Sequence, residues 1–180
     1  MTNISALTSF RALRGTFGYG LNMIGEYLGY LEDAFLVFQL YFFDYSMKRQ
    51  LVNPRKVYAV DNGLRNAVAF KFSQDLGRLM ENAVFVELKR RKKEIYYWKD
   101  KRGREIDFLL RQGLQIESAI QVCADPEDEK TAKREITGIM AAMEEFDLKE
   151  STIVTMDLAK QLVMEGRTIN YVPLFEWLLG

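Results

Sequence analysis

The chain has 180 residues, 48% hydrophobic and 28% charged, which fits one ordinary folded domain or two small ones and argues against disorder. Lys plus Arg and Asp plus Glu each number 25, so no net field drives the chain onto DNA or an anionic membrane, and any such affinity is local. With no histidine and the single cysteine Cys123, the composition excludes His-ligated zinc, Ser-His-Asp and Cys-His catalysis, an internal disulfide and CxxC chemistry; the cytoplasm is the expected location.

The first segment, Met1 to Arg14, has Arg11 and Arg14 after its apolar residues and no cleavable pattern, so it does not read as a signal peptide. Ser5, Leu7, Phe10, Leu13 and Phe17 suggest a short amphipathic helix, closed by Gly15, Gly18 and Gly20. Leu21, Ile24, Tyr27, Leu28 and Leu31 repeat at helical spacing. Phe35 to Phe43 is aromatic and strand-like, and Lys56 to Val60 is a second strand after the basic loop Met47 to Arg55. Two helices followed by two strands is the winged-helix order. The longest apolar run, Ala34 to Phe43, contains Gln39 and falls well short of the roughly 18 residues a membrane span needs, so no membrane association is expected.

Beyond Asp61-Asn62-Gly63 the pattern changes, which sets expected domain limits of 1–62 and 63–180. Ser73 can cap a helix running through Leu76, Met80, Val84 and Leu88, with the basic run Lys89 to Lys93 where the C-terminal helix dipole favours cations. Three strands follow, Ile95 to Lys99, Glu105 to Leu110 and Leu114 to Val122, with turns at Lys101-Arg102-Gly103 and Gln112-Gly113. Asp125-Pro126 opens a long helix whose apolar face carries Ile136, Ile139, Met140, Met143 and Phe146. Ser151 to Met156 reads as a strand, Thr168 to Val172 as another, and Pro173 starts a short terminal helix. Neither a phosphate-cradling GxxxxGK[ST] loop nor a GxGxxG after a strand is present.

In this second half, Glu81 lies on a helix among apolar neighbours. Asp107 and Gln121 lie inside strands, where alternation points each away from its apolar neighbours. Two acids and an amide oxygen on one wall can hold Mg²⁺, a hard cation that takes oxygen ligands, and the metal can activate water against a phosphodiester. The bland alternative is that Glu81 and Asp107 simply face water. Glu105 shares the Asp107 strand face and either faces water or helps bind metal.

The string Gly77-Arg78-Leu79-Met80-Glu81-Asn82-Ala83-Val84-Phe85-Val86-Glu87-Leu88, followed by Tyr96-Tyr97-Trp98-Lys99 and Glu105-Ile106-Asp107-Phe108, resembles the C-terminal region of archaeal and bacterial AAA+ ATPases of the DUF4143 and DUF234 type. That region is similar to the PD-(D/E)XK nuclease fold. The preceding Tyr30-Leu31-Glu32-Asp33-Ala34-Phe35-Leu36, Pro54-Arg55-Lys56-Val57-Tyr58 and Asp61-Asn62-Gly63-Leu64 resemble the winged helix that joins the ATPase to it. The resemblance implies an α+β chain, a winged helix followed by a nuclease-like domain with a mixed central sheet. It also implies an upstream ATPase domain that carries ATP hydrolysis.

Residue by residue, the resemblance assigns Glu81 to the helical glutamate, Asp107 to the metal-binding aspartate and Gln121 to the first position of the (D/E)XK motif. Cys123 departs from the pattern, because lysine belongs there to stabilise the charge on the attacked phosphate, and a thiol cannot replace that cation. Lys99 on the adjacent strand is the candidate for a migrated lysine. Cys123 itself reads as a small buried strand residue, and Tyr96, Tyr97 and Trp98 as packing residues rather than stacking platforms.

The strongest local charge runs from Lys89 to Arg104, with Lys89, Arg90, Lys92, Arg102 and Arg104 as candidate phosphate contacts; the bland reading is a solvated helix end and hairpin tip. The helix Leu21 to Asp33, where a winged helix reads bases, has Glu26, Glu32 and Asp33 and no lysine or arginine, which argues against sequence-specific DNA reading. Arg11, Arg14, Lys48, Arg49, Arg55 and Lys56 are left as phosphate contacts. The leading expectation is a nucleic-acid-binding or coupling module with a degenerate nuclease site and no cofactor by default. The alternatives are an active Mg²⁺-dependent endonuclease, with Mg²⁺ on Glu81, Asp107 and Gln121, and a protein-interaction module. Oligomerisation is open.

Overall fold

The computed structural model describes residues 4–68 and 76–180. It is an α+β architecture with two sheets. In the first part, β1 (Leu7–Thr8), α1 (Phe10–Phe17), α2 (Leu21–Asp33), β2 (Val37–Leu40), α3 (Met47–Val52), β3 (Arg55–Ala59) and α4 (Asn62–Val68) follow in order, and the three strands pair antiparallel with β3 in the middle. Ser9 caps α1, its hydroxyl accepting from the Ala12 N–H, so the residues expected to open that helix form β1 instead. The expected basic loop 47–55 contains α3, and α4 begins at Asn62, where the sequence pattern changes.

The second part runs α5 (Leu76–Arg90), β4 (Glu94–Lys99), β5 (Glu105–Gln112), β6 (Gln115–Cys123), α6 (Glu129–Glu145), β7 (Glu150–Thr155), β8 (Lys160–Met164), β9 (Arg167–Pro173) and α7 (Leu174–Leu179). Its sheet has the order β4-β5-β6-β7-β9-β8 and is mixed: β6, β7 and β9 are parallel, the other neighbours antiparallel. Gly113 takes the positive φ that the β5–β6 turn requires. The expected cap Ser73 lies outside the described residues. Strand β8 gave no sequence signal, because it is an exposed edge strand without apolar alternation.

Two apolar clusters cover the two sheet faces. One gathers Val84, Phe85 and Leu88 of α5 with Phe108, Leu110, Ile120 and Val154; the other gathers Ile139, Ala142 and Met143 of α6 with Leu109, Ile153 and Ile169. Strand alternation produces this division, since Phe108 and Leu110 face one way and Leu109 the other. The first part joins the second through β3 and α5. Asn82 in α5 donates to the Ala59 carbonyl and accepts from the Ala59 N–H, acting as a strand partner, and the Tyr58 ring stacks on Phe85 at 4.1 Å between centroids. No helix among the described residues is long and apolar enough to cross a membrane.

Candidate functional site

The site forms where β5 and β6 part. Their paired register begins at Phe108 opposite Ile120. Nearer the fork, side chains replace ladder bonds: the Asp107 N–H donates to Gln121 Oε1 at 3.0 Å, and the Val122 N–H donates to Asp107 Oδ2 at 3.1 Å. Gln121 Nε2 donates to Glu135 of α6 at 2.7 Å. Each buried polar group at the fork therefore has a partner, as burial demands. Gly138 lets α6 approach the fork closely, since a Cβ there would lie 2.8 Å from the Glu105 carbonyl oxygen.

A lysine from the first part of the chain completes the cluster. Lys56 Nζ lies 2.8 Å from Asp107, 3.0 Å from Glu105 and 3.1 Å from Glu81, with its side chain only 3% exposed. The Tyr58 hydroxyl donates to the same Glu81 oxygen at 2.6 Å. Alternation along β3 puts Lys56 and Tyr58 on one face, against α5. Burial alone would lower the Lys56 pKa, but Asp107, Glu81 and Glu105 outweigh it and hold the ammonium well above its ordinary range. Glu81 is raised to about 7, first by burial and then by Asp107, against the opposing pull of Lys56. Burial likewise raises Glu135.

The structure brings Glu81 and Asp107 onto one ammonium and sets Gln121 beside Asp107. Lys56, considered above only as a surface phosphate contact, is the cation next to Asp107. Lys99, 40% exposed, meets the cluster only at its outer edge, 3.4 Å from Glu105. Cys123 is buried at the end of β6, and burial pushes its thiol up to about 11, so it offers no nucleophile. The oxygen donors suit Mg²⁺ in type but not in placement. Three carboxylates converge on an ammonium, the Gln121 oxygen is taken by a backbone N–H, and no group of three acidic or cysteine side chains among the described residues is arranged to hold a metal. The donor set as folded does not fit the ion.

A cleft of about 600 Å³ opens beside the fork. Glu105, Asp107, Gln121 and Glu135 line its floor; Arg102, Arg104, Lys130, Lys133 and Arg134 line its walls. Arg104 pairs with Asp100 and Arg134 with Glu135, whereas Arg102, Lys130 and Lys133 have no ion pair within 4.0 Å among the described residues. The basic segment 89–104 is thus split by the length of β4, roughly 20 Å for six residues. Arg102 and Arg104 reach the cleft. Lys89, Arg90 and Lys92 sit at the far end, Arg90 doubly bonded to Glu87 at 2.6 Å and Lys89 over the Phe38 ring. Two participants escaped sequence reading. Lys56 shares a strand face with Tyr58, but nothing in the sequence says that α5 covers that face, and Glu135 is one of several charges beside the apolar face of α6 and carries no distinct signal.

Comparison with known proteins adds a family. The family described as "Domain of unknown function (DUF4143)" matches residues 76–177. The chain belongs to this family. A second, "Domain of unknown function (DUF8612)", matches residues 1–75, so Lys56 falls in that stretch and its three carboxylate partners in the DUF4143 region. An uncharacterized protein of Methanocaldococcus jannaschii is 30% identical over 171 residues, and one of Haemophilus influenzae 29% identical over 159 residues. Each alignment covers 87% of this chain and 36% of the relative, so the chain spans about a third of their length. No solved structure matches.

Proposed function

We propose that this chain is a nucleic-acid-binding and coupling module of a longer, AAA+ type ATPase, made of a winged helix (1–62) and a PD-(D/E)XK-like domain (63–180) whose site binds phosphates without cleaving them. The observation that carries this reading is the cleft itself. Its walls present Arg102, Lys130 and Lys133, which have no ion pair among the described residues, to solvent, while Lys56 engages Asp107 and Glu105 beneath and the Gln121 amide donates to Glu135. Cations free to meet phosphates favour backbone binding. A nuclease needs a cation at the attacked phosphate, and Lys56 is buried behind the cleft rather than lining it. The lone cysteine fits a cytoplasmic setting.

Salt-titrated fluorescence polarisation with labelled oligonucleotides tests the proposal. Replacing Arg102, Lys130 and Lys133 together by Ala should weaken binding and reduce the salt slope by about two to three units. An unchanged slope, or metal-dependent cleavage by the unmodified chain, would sink it.

A specific observation supports the coupling part. Helix α2 buries only Ile24, while Phe17, Tyr19, Tyr27, Tyr30 and Phe35 stand exposed on the α1–α2 side. Exposed rings that gather there, Tyr27 lying 6.3 Å from both Tyr19 and Tyr30, suit contact with another part of a larger protein. Crosslinking from Tyr27 or Tyr30 within the full-length protein reads this directly; crosslinks confined to residues 1–180 would remove the coupling role.

A further inference from the structure

A second cleft, about 1360 Å³, lies between the 42–53 segment, the turn joining β4 to β5, and the C-terminal end of α6. It adjoins the first cleft at Arg102 and Arg104, which line both. At its mouth stands Tyr45, 80% exposed. This ring is not a loose surface side chain. It sits edge-on to Phe43 at 5.2 Å, and Phe43 is in turn wedged edge-on against Phe146 at 5.4 Å and Tyr96 at 5.5 Å. The loop beneath is tied down, the Ser46 N–H donating to Asp44 and Gln50 Nε2 donating to the Asp44 carbonyl. An aromatic ring pre-positioned on a rigid support loses little entropy when a flat group covers it.

The charges around the ring favour a polyanion. Lys101 and Arg102 form no ion pair among the described residues; Asp44 and Asp100, by contrast, are neutralised by Arg49 and Arg104. Glu144 and Glu145 lie on the opposite, α6 wall and would confine a phosphate chain to the cationic side.

We infer that this second cleft takes single-stranded nucleic acid, with an unstacked base on Tyr45 and the neighbouring phosphates on Lys101 and Arg102. The inference rests on the nucleic-acid-binding reading and narrows it to a strand class. In a duplex both faces of every interior base are already stacked, so Tyr45 finds no partner; a single strand offers one at each nucleotide. Tyr45 and Phe43 come from the 42–53 segment, and the rings that hold Phe43 from β4 (Tyr96) and the end of α6 (Phe146), so the cleft needs both parts of the chain.

Fluorescence polarisation on the full chain, with labelled single-stranded DNA, single-stranded RNA and a blunt duplex of equal length, tests it. Single strands should bind at least tenfold tighter than the duplex, and Tyr45→Ala should lower single-strand affinity about tenfold, within the range of one lost stacking contact. Tyr45→Phe should retain it, and Tyr45→Ala should leave binding of a fully abasic strand unchanged, which separates stacking from a folding defect. Whichever of DNA and RNA binds tighter names the source of the strand. Equal affinity for duplex and single strand, with no effect of Tyr45→Ala, overturns the single-strand cleft while leaving phosphate binding intact. Absence of binding by any oligonucleotide at low salt overturns both readings.

Discussion

The Lys56 ammonium lies 2.8 Å from an Asp107 carboxylate oxygen that is 51 residues further along the chain. The pair is buried, with Glu81 and Glu105 on the same ammonium, so three acids share one cation. Coulomb attraction at such distances is strong in a low dielectric, but taking Lys56, Asp107 and most of Glu81 out of water opposes it. The cluster therefore fixes how the two parts of the chain sit more than it adds net stability.

Lys56→Met breaks that balance by leaving three acids facing one another. Loss of one partner from a buried ion cluster costs about 3–5 kcal/mol, so thermal unfolding should shift down by many degrees. Mn²⁺ should recover part of the loss in the variant and do little to the unmodified chain, whose acids already hold a cation. A variant as stable as the parent would mean that Lys56 is not the counter-ion.

Glu81 makes stability depend on pH. Its pKa is about 7 in the folded chain, above its ordinary 4.5. Between those values the native state holds a proton that the unfolded chain has released, so this contribution is full below pH 4.5 and is lost as pH rises through 7. Urea unfolding at a series of pH values should show this fall in the unmodified chain and a flatter profile in Glu81→Gln, which still accepts from Tyr58. Parallel profiles would place the titration on another group.

Gly138→Ala sets two magnitudes against each other. Helix propensity favours alanine over glycine by about 1 kcal/mol in α6. The new methyl, however, would sit 2.8 Å from the Glu105 carbonyl oxygen, a backbone atom that cannot swing aside. Overpacking of this kind costs about 1–3 kcal/mol, so net destabilisation is expected, with faster amide exchange in β5. A more stable variant would contradict the close approach of α6.

Arg90 and Arg102 were equivalent candidates in the sequence, and the fold separates them. Arg90→Ala should leave affinity and salt slope for single strands unchanged, because its guanidinium is held by Glu87, which Arg90 and Arg91 keep down at about 2. Arg102→Ala should lower both, the slope by about 0.7 unit for one phosphate on a single strand. The reverse ranking, read in the same titration, would move the binding face to the end of α5.

Much of the second part was legible because its signals are local. Strands β4 to β6 alternate and are punctuated by Gly103 and Gly113, and a polar residue amid apolar strand neighbours marked Asp107 and Gln121. Lys56 was not legible as a buried group. Strand β3 is five residues long, and only knowledge that α5 covers its Tyr58 face turns a surface lysine into an inner one. The split of the basic segment was equally hidden, since adjacency in sequence says nothing about the β4 length that separates Arg90 from Arg102.

The boundary at residue 75 between the two matched families runs between Lys56 and all three of its acids. A chimaera that kept residues 76–177 and replaced the first 75 would inherit Glu81 and Asp107 without their buried cation, and Glu105 with Lys99 alone, unless its new partner brought a basic side chain to the same depth. Recombination or design at that junction is therefore constrained by charge parity: the two halves are exchangeable only as a matched set.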